Sequence, residues 1–232
     1  MTCSRSSPSK RRPPRRRHSV LRVALTGGIA CGKSVVAKLL ADKGCVVYSA
    51  DQAAHGLMSP GRTAWKRIAA RFGPSILRPD RTIDRSKLGA IVFADPAARR
   101  FLDGVVHPLV LADQERAARR LGREGGGLFV VEAALTIEAG YARHFDRVVV
   151  VHGGKAEQVR RLRARDGIGR AAALRKIGTQ MPLKDKRRHA DYVVDASGTL
   201  AETVEQTERV YAQLVRDGES KNSGTDPSQK EK

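Results

Sequence analysis

Aromatic side chains make up only 4% of this 232-residue chain, too few for base stacking on aromatic platforms to be a main theme. Cysteine is also scarce. Cys3, Cys31 and Cys45 form neither a C-x-x-C pair nor a metal-ligand spacing, and an odd, sparse count points to a reducing compartment, not a disulfide framework. No apolar run approaches the ~18 residues of a membrane helix. The Asn-Lys-x-Asp guanine signature is missing too, which argues against a GTPase, and no internal repeat occurs. Acid is absent from the first 18 residues, which carry Arg5, Lys10, Arg11, Arg12, Arg15, Arg16 and Arg17. The formal net charge is +20, and the chain stays strongly basic with that segment set aside. Such a body suits a protein that handles anions: nucleotides, a phosphorylated acceptor or nucleic acid.

What the chain does have is a complete phosphate-binding loop. Gly27-Gly28-Ile29-Ala30-Cys31-Gly32-Lys33-Ser34 fits G-x-x-x-x-G-K-[ST]. The apolar run Val20–Thr26 before it reads as a buried strand, and Ser34–Leu40 after it as the first turns of a helix. Glycines let backbone N–H groups curl around a polyphosphate, and the helix N-terminus adds partial positive charge. Lys33 is expected at the β- and γ-phosphates of ATP and Ser34 at Mg²⁺.

Strands and helices alternate from residue 20 onward. Further strands are expected at Cys45–Ser49, Leu128–Glu132, Asp146–Val151 and Asp191–Asp195. Helical patterns fall near 51–58, 61–72, 84–94, 96–106, 108–123, 155–165 and 199–216. Near-continuous β-branched strands imply a parallel sheet covered on both faces, with ligands beyond the carboxyl ends of the strands. The fold class is therefore α/β: a phosphate-loop NTPase fold, a parallel sheet flanked by helices, with a helical acceptor-binding lobe (52–127) and a small lid (165–189). The domain spans 20–216, between a disordered basic tail (1–19) and a polar tail (217–232) frayed from Asp217.

Arg15-Arg16-Arg17 ahead of an apolar stretch faintly resembles a twin-arginine signal, and Ile29-Ala30-Cys31 a lipoprotein cleavage site. Arg22 interrupts the stretch, Gly28 stands where a large aliphatic residue is needed, and cleavage would destroy the phosphate loop. A cytoplasmic location is the expectation.

The helical insert and the Arg-rich stretch 155–190 suggest a small-molecule kinase, which needs an acceptor lobe and a mobile basic lid to exclude water. Asp51, at the end of the second strand, suits the orienting of an acceptor hydroxyl and acceptance of its proton. It also suits a helix cap before Gln52, and the two roles can coexist. Cys31 has two open readings. At a helix N-terminus beside Lys33 its thiol pKa should fall, making it reactive and protectable by ATP; alternatively it fills a serine's place, buried and inert.

Several blocks in order carry a family resemblance: Leu25–Ile29, Ala50-Asp51-Gln52-Ala53-Ala54-His55, Ile83–Gly89, Val92-Phe93, His107-Pro108, Arg165-Asp166-Gly167, Gln180–Leu183, Lys186-Arg187 and Ala190–Asp195. Over residues 21–212 the chain resembles the dephospho-CoA kinases. That resemblance implies ATP-dependent phosphorylation of the ribose 3′-hydroxyl of dephospho-CoA, giving CoA and ADP, the last step of coenzyme A synthesis. It implies catalytic roles for Lys33, Asp51 and Arg161, with Arg165 beside Arg161 as a second lid arginine. Gly28, Ala30, Cys31, Gly32, Lys33, Ser34 and Val35 are implied as the nucleotide-binding residues, with Mg²⁺ on Ser34. Asp51, His55 and His107 are implied at the acceptor. Dephospho-CoA is the expected partner, with no membrane and nucleic acid not expected, and the oligomeric state stays open, a monomer being one option. Residues 1–19 have no family counterpart and are expected to be dispensable, with translation starting near Val20.

The chain departs from the pattern in places. Ala30-Cys31 stands for the usual Gly-Ser or Gly-Thr, so the loop survives if Ala30 can adopt the local dihedrals. Ser49 replaces the first Asp of Asp-Ala-Asp. Glu132–Glu138 keeps the acids of its segment and loses a proline. Ala196 replaces an Asn near the adenine. Three rivals stay open: another phosphate-loop kinase acting on a nucleoside or nucleotide, a nucleic-acid-binding regulatory NTPase, and a binder without turnover.

Overall fold

A computed structural model of the chain describes residues 19–223. Strand β1 (Val20–Gly27) is buried on both faces from Val23 onward. It can be, because it is the middle strand: β3 (Gly127–Glu132) pairs with one edge and β4 (Arg147–His152) with the other, both parallel. Strand β2 (Val46–Ser49) extends the sheet beyond β3 and β5 (Tyr192–Asp195) beyond β4, giving the order β2-β3-β1-β4-β5. All four pairings are parallel, the arrangement expected of near-continuous Val-rich strands. The register aligns the strand ends. Leu25 and Ser49 both sit opposite Glu132, so β1, β2 and β3 end level with one another at the edge where the phosphate loop leaves the sheet.

Helix α1 (Lys33–Asp42) follows the loop and packs on the sheet through Val36, Ala37 and Leu40. Between β2 and β3 the chain builds the expected helical lobe: α2 (Ala50–Leu57), α3 (Thr63–Phe72), α4 (Arg85–Ala94) and α5 (Pro96–Glu124). It has its own core around Trp65, Ile68, Ile76, Ile83 and Val105. The Trp65 indole N–H is satisfied by the Arg81 carbonyl at 2.8 Å.

Beyond shifts of one or two residues and the short helices at Arg170–Gly178 and Leu183–Lys186, two helices differ from expectation. Helices at 96–106 and 108–123 are one continuous helix across Pro108. Proline removes one ladder bond at a cost of about 3 kcal/mol, but both flanks are anchored. Val105, Val106 and Val110 enter the lobe core, and Ala118 packs with Phe129 and Val131 beneath the sheet. The closing helix is also longer. After β4 come α6 (Lys155–Asp166), α7 (Arg170–Gly178) and α8 (Leu183–Lys186), then β5, then α9 (Leu200–Asn222). Helix α9 starts at a Thr199–Glu202 capping box. It does not fray at Asp217, which takes Arg147 through two bonds (2.8 and 3.2 Å) and the Tyr192 hydroxyl at 2.7 Å. One turn on, Lys221 reaches Asp146 at 2.6 Å and the Val20 carbonyl at 3.1 Å. Expectations for 1–18 and 224–232 lie outside the described residues. Ser19 is placed, its N–H donating to Asn222 Oδ1. No helix among the described residues is long and apolar enough to cross a membrane.

The lid expected over 165–189 is two things. Helix α7 covers α6 through Ala173 and, with it, reaches Ile29 and Ala30 of the phosphate loop. The stretch after it is part of the body, since the Lys186 side chain is fully buried.

Asp217 is the test of the lengthened α9. Replacing it with Ala strips a mostly buried Arg147 and a tyrosine hydroxyl of their partner, at the low end of the ~3–5 kcal/mol cost of breaking a buried pair. A thermal melt of Asp217→Ala should fall by roughly 6–10 °C, at about 2–4 °C per kcal/mol for a chain of this size. An unchanged melting temperature would mean that α9 does end earlier.

Candidate active site

The phosphate loop stands at the centre of the level strand ends. Gly32 caps α1 with φ 92°, and α1 carries no acid in its first turn, leaving its N-terminal amides and positive end for an anion. Ala30 does adopt the left-handed conformation, at φ 57°, which costs a residue with a Cβ about 1–2 kcal/mol relative to glycine. Gly27 has no alternative: a Cβ there would lie 2.5 Å from the Val151 carbonyl oxygen.

Two cavities bear on the site, one at this loop and one on the helical-lobe side. The first, of about 370 Å³, is lined by Ala30, Gly32, Ser34, Val35, Arg161, Arg165, Ala196 and Leu200. The second, of about 310 Å³, lies on the helical-lobe side. Val106, Val110, Leu111, Val131, Leu135 and Phe145 supply apolar wall, and Asp51, His107, Gln114, Tyr141, His144 and Gln180 supply polar groups. Few polar groups on an apolar wall is the usual make-up of a small-molecule site. Lys33 ties the loop to the end of β3. It lies between Gly32 and Ser34 of the first cavity, and its Nζ bonds Glu132 Oε1 at 3.0 Å. Glu132 immediately precedes Ala133 and Ala134 of the second cavity. Both partners are mostly buried, at 15% and 17% side-chain exposure.

Most of the expected site residues converge on these two cavities. Gly28, Ala30, Cys31, Gly32, Lys33, Ser34 and Val35 form the loop and the start of α1. Arg161 lies against it: a Cβ on Gly32 would come within 3.1 Å of its Nη1. Its guanidinium is held by Glu157 at 2.6 Å and by the Ala196 carbonyl at 3.2 Å. Arg160 and Arg161 together hold the Glu157 carboxyl down to about 2, so it stays ionised and balances Arg161 at neutral pH. Arg165 is bound to its neighbour Asp166 at 2.8 Å. Asp51 and His107 share the second cavity. Asp51 is not the cap of α2: the helix begins at Ala50, and Ser49 accepts the Gln52 N–H. Ser49, the departure from the family pattern, thus takes the capping role and leaves the exposed Asp51 carboxylate to the cavity. His107 meets the Tyr141 hydroxyl through Nδ1 at 3.4 Å. His55 does not join them. One helical turn beyond Asp51, it lines a separate cleft with Met58, Arg85 and Val92, where burial and then Arg85 lower its pKa.

The surroundings of Cys31 decide against a reactive thiol. The residue is 1% exposed, and burial pushes its thiol up to about 11, outweighing the lowering from the Gly28 backbone and from Lys186, Arg161 and Lys33.

Sequence reasoning missed a second layer around the loop. Lys186 is fully buried and donates to the Ala134 carbonyl at 2.7 Å and the Gly27 carbonyl at 3.4 Å, while pairing with Glu138 at 2.8 Å. Thr26, also fully buried, donates to the same Ala134 carbonyl. These contacts tie the root of the phosphate loop to the wall of the second cavity. In the sequence Lys186 stands only within a matching block, with no role attached; its burial is what reveals one. Tyr141 and His144 lie in the connection after β3, where no periodicity marked them. Among the described residues no group of three or more His, Cys, Asp and Glu could hold a metal ion. The oxygen ligands at hand for a hard cation are the Ser34 hydroxyl and the Glu132 carboxylate, a set that suits Mg²⁺ completed by phosphates and water.

Comparison with known proteins agrees with this geometry. The family model described as dephospho-CoA kinase matches residues 21–202. The dephospho-CoA kinase of Geobacter sulfurreducens is 42% identical over 190 residues, covering 82% of this chain and 96% of its own. That of Leifsonia xyli is 40% identical, covering 83% and 98%. Among solved structures, TT1252 from Thermus thermophilus superposes with a TM-score of 0.74 at 30% identity, covering 84% of this chain and 98% of its own. A dephospho-CoA kinase from Campylobacter jejuni gives 0.63 at 26% identity, covering 84% and 97%.

The buried thiol makes a direct prediction. Iodoacetamide at about pH 8, where ordinary cysteines react, should leave Cys31 unlabelled in the folded protein, as read by peptide mass spectrometry. Denaturant should expose it. Rapid native labelling that ATP prevents would restore the activated-thiol reading.

Proposed function

The chain belongs to the dephospho-CoA kinase family, and we propose that it transfers the γ-phosphoryl group of ATP to the ribose 3′-hydroxyl of dephospho-CoA, releasing CoA and ADP. The observation that carries this reading is the Lys33–Glu132 pair, which ties a phosphate-binding loop to the strand end next to a cavity lined by the exposed Asp51 carboxylate. The loop amides and Lys33 bind the triphosphate, and the cavity beside Arg161 and Leu200 takes the nucleoside end. The second cavity takes the adenosine end of the acceptor, with Gln114, Gln180 and His107 as the polar groups within it.

Phosphoryl transfer asks the protein for position and charge more than for covalent chemistry. Asp51 orients the attacking hydroxyl in line with the γ-phosphorus and accepts its proton. Lys33 and Arg161 neutralise charge that spreads over the transferring oxygens. Arg161 has the Ala196 carbonyl as a fixed support, so it needs little reordering. Helix α7, packed over Ile29 and Ala30, keeps water from the loop. Ser34 and Glu132 would hold Mg²⁺, which would supply charge neutralisation at the phosphates. Ala196 offers no side-chain hydrogen bond to a base, so base selection falls to the backbone and to apolar contact with Leu200 and Val35.

A coupled ADP-release assay with dephospho-CoA, checked by mass spectrometry for a CoA product, tests the activity. Free nucleosides and nucleotides serve as competing acceptors, and one of them turning over faster than dephospho-CoA would replace this reading. Asp51→Asn should lower kcat by about a hundredfold or more, the scale of a positioned acid–base group, with ATP affinity unchanged. A drop of less than about threefold would leave Asp51 no part in proton transfer.

A further inference from the structure

Ile29, near the tip of the phosphate loop, is held from both sides by glutamines. Its carbonyl accepts from Gln158 Nε2 at 2.8 Å, and its N–H donates to Gln180 Oε1 at 2.8 Å. A backbone carbonyl only accepts and an N–H only donates, so the orientation of each side-chain amide is fixed. Gln158 projects from α6 and is 3% exposed; Gln180 comes after α7. The position of Gln158 also accounts for Gly28, where a Cβ would lie 2.6 Å from Gln158 Nε2.

The consequence lies in the peptide plane. The Ile29 carbonyl and the Ala30 N–H belong to one trans peptide and point in opposite directions. Fixing the carbonyl on Gln158 therefore turns the Ala30 N–H the other way. That N–H has no hydrogen-bond partner among the described residues, and Ala30 lines the nucleotide cavity. Ala30 also has a reason to leave this state. Its φ of 57° is disfavoured for any residue with a Cβ. Flipping the 29–30 peptide would turn φ by about 180°, to roughly −120°, out of the positive range that a Cβ disfavours. The flip would relieve Ala30, but it would also remove the N–H and present a carbonyl oxygen to the phosphates.

We propose that Gln158 is a positioning residue for the nucleotide. Its side-chain amide holds the 29–30 peptide with the Ala30 N–H presented to the polyphosphate, and Gln180 secures the preceding peptide. Alanine at position 30 makes the clamp necessary, because glycine would have no strain to relieve. This inference rests on the reading of the loop as a nucleotide site.

The test is calorimetric titration of the full chain with ADP, comparing wild type, Gln158→Leu, Ala30→Gly and the double variant, each with a thermal melt. Gln158→Leu should weaken ADP about tenfold, the scale of one directed hydrogen bond with its orienting effect. Affinity for dephospho-CoA should stay within about twofold, since Gln158 does not line the second cavity. In the Ala30→Gly background the same substitution should cost no more than about threefold, because the flip no longer relieves strain. A merely structural glutamine, packing α6 on the loop, would lose the same factor in both backgrounds. That result would overturn the proposal, and so would unchanged ADP affinity in Gln158→Leu. If Gln158→Leu melts too early to titrate, Gln158→Met, similar in volume and more flexible, is judged by the same criteria. Failure of the wild type to bind ADP would overturn the nucleotide reading itself, and this one with it.

Discussion

A loop that turns its N–H groups inward toward an anion turns its carbonyls outward, and every one that is buried must be satisfied by something else. Much of the architecture around residues 27–34 answers that constraint. The Gly28 carbonyl takes the Cys31 N–H within the loop, that of Gly27 takes the buried Lys186, and that of Ile29 takes Gln158. The donors come from α6 and α8, segments far along the chain. The phosphate loop is a local motif in sequence and a tertiary construction in space.

The sheet supplies the rest of the geometry. Because β1, β2 and β3 end level with one another, Glu132 comes beside the loop and Asp51 lies one strand over. Lys33 and Glu132 can then form a mostly buried pair between the loop and the end of β3. Such a pair contributes little net stability; what it does is fix the Lys33 side chain beside the loop. Lys186 and Glu138 repeat the arrangement one layer deeper, pinning the cavity wall at Ala134 to the loop root.

The departures from the family pattern are absorbed by neighbours. Ser49, standing where an acid is usual, caps α2 and so frees Asp51 from that task. Cys31 fills a buried space beside Gly28 and Gly153, where the loss of solvent outweighs three nearby cations. Nearby charges alone favour a reactive thiol; burial, which a linear sequence does not display, reverses the balance. Pro108 misled in a similar way. Its local effect is to break a helix, and the apolar contacts on both sides of it, invisible to a local rule, hold α5 together.

The phosphate loop with Lys33 and Ser34, the five parallel strands, the helical lobe between β2 and β3, and the position of Asp51 at a strand end were legible in the linear chain. They are written in short-range signals: glycine spacing, β-branched runs and acids at strand ends. Folding alone settles which charges are paired and which are free, that His55 faces a cleft apart from Asp51 and His107, and that Gln158, Gln180 and Lys186 serve the loop. Those assignments depend on burial and on contacts between residues more than a hundred positions apart. Hydrophobic periodicity carries no information about either.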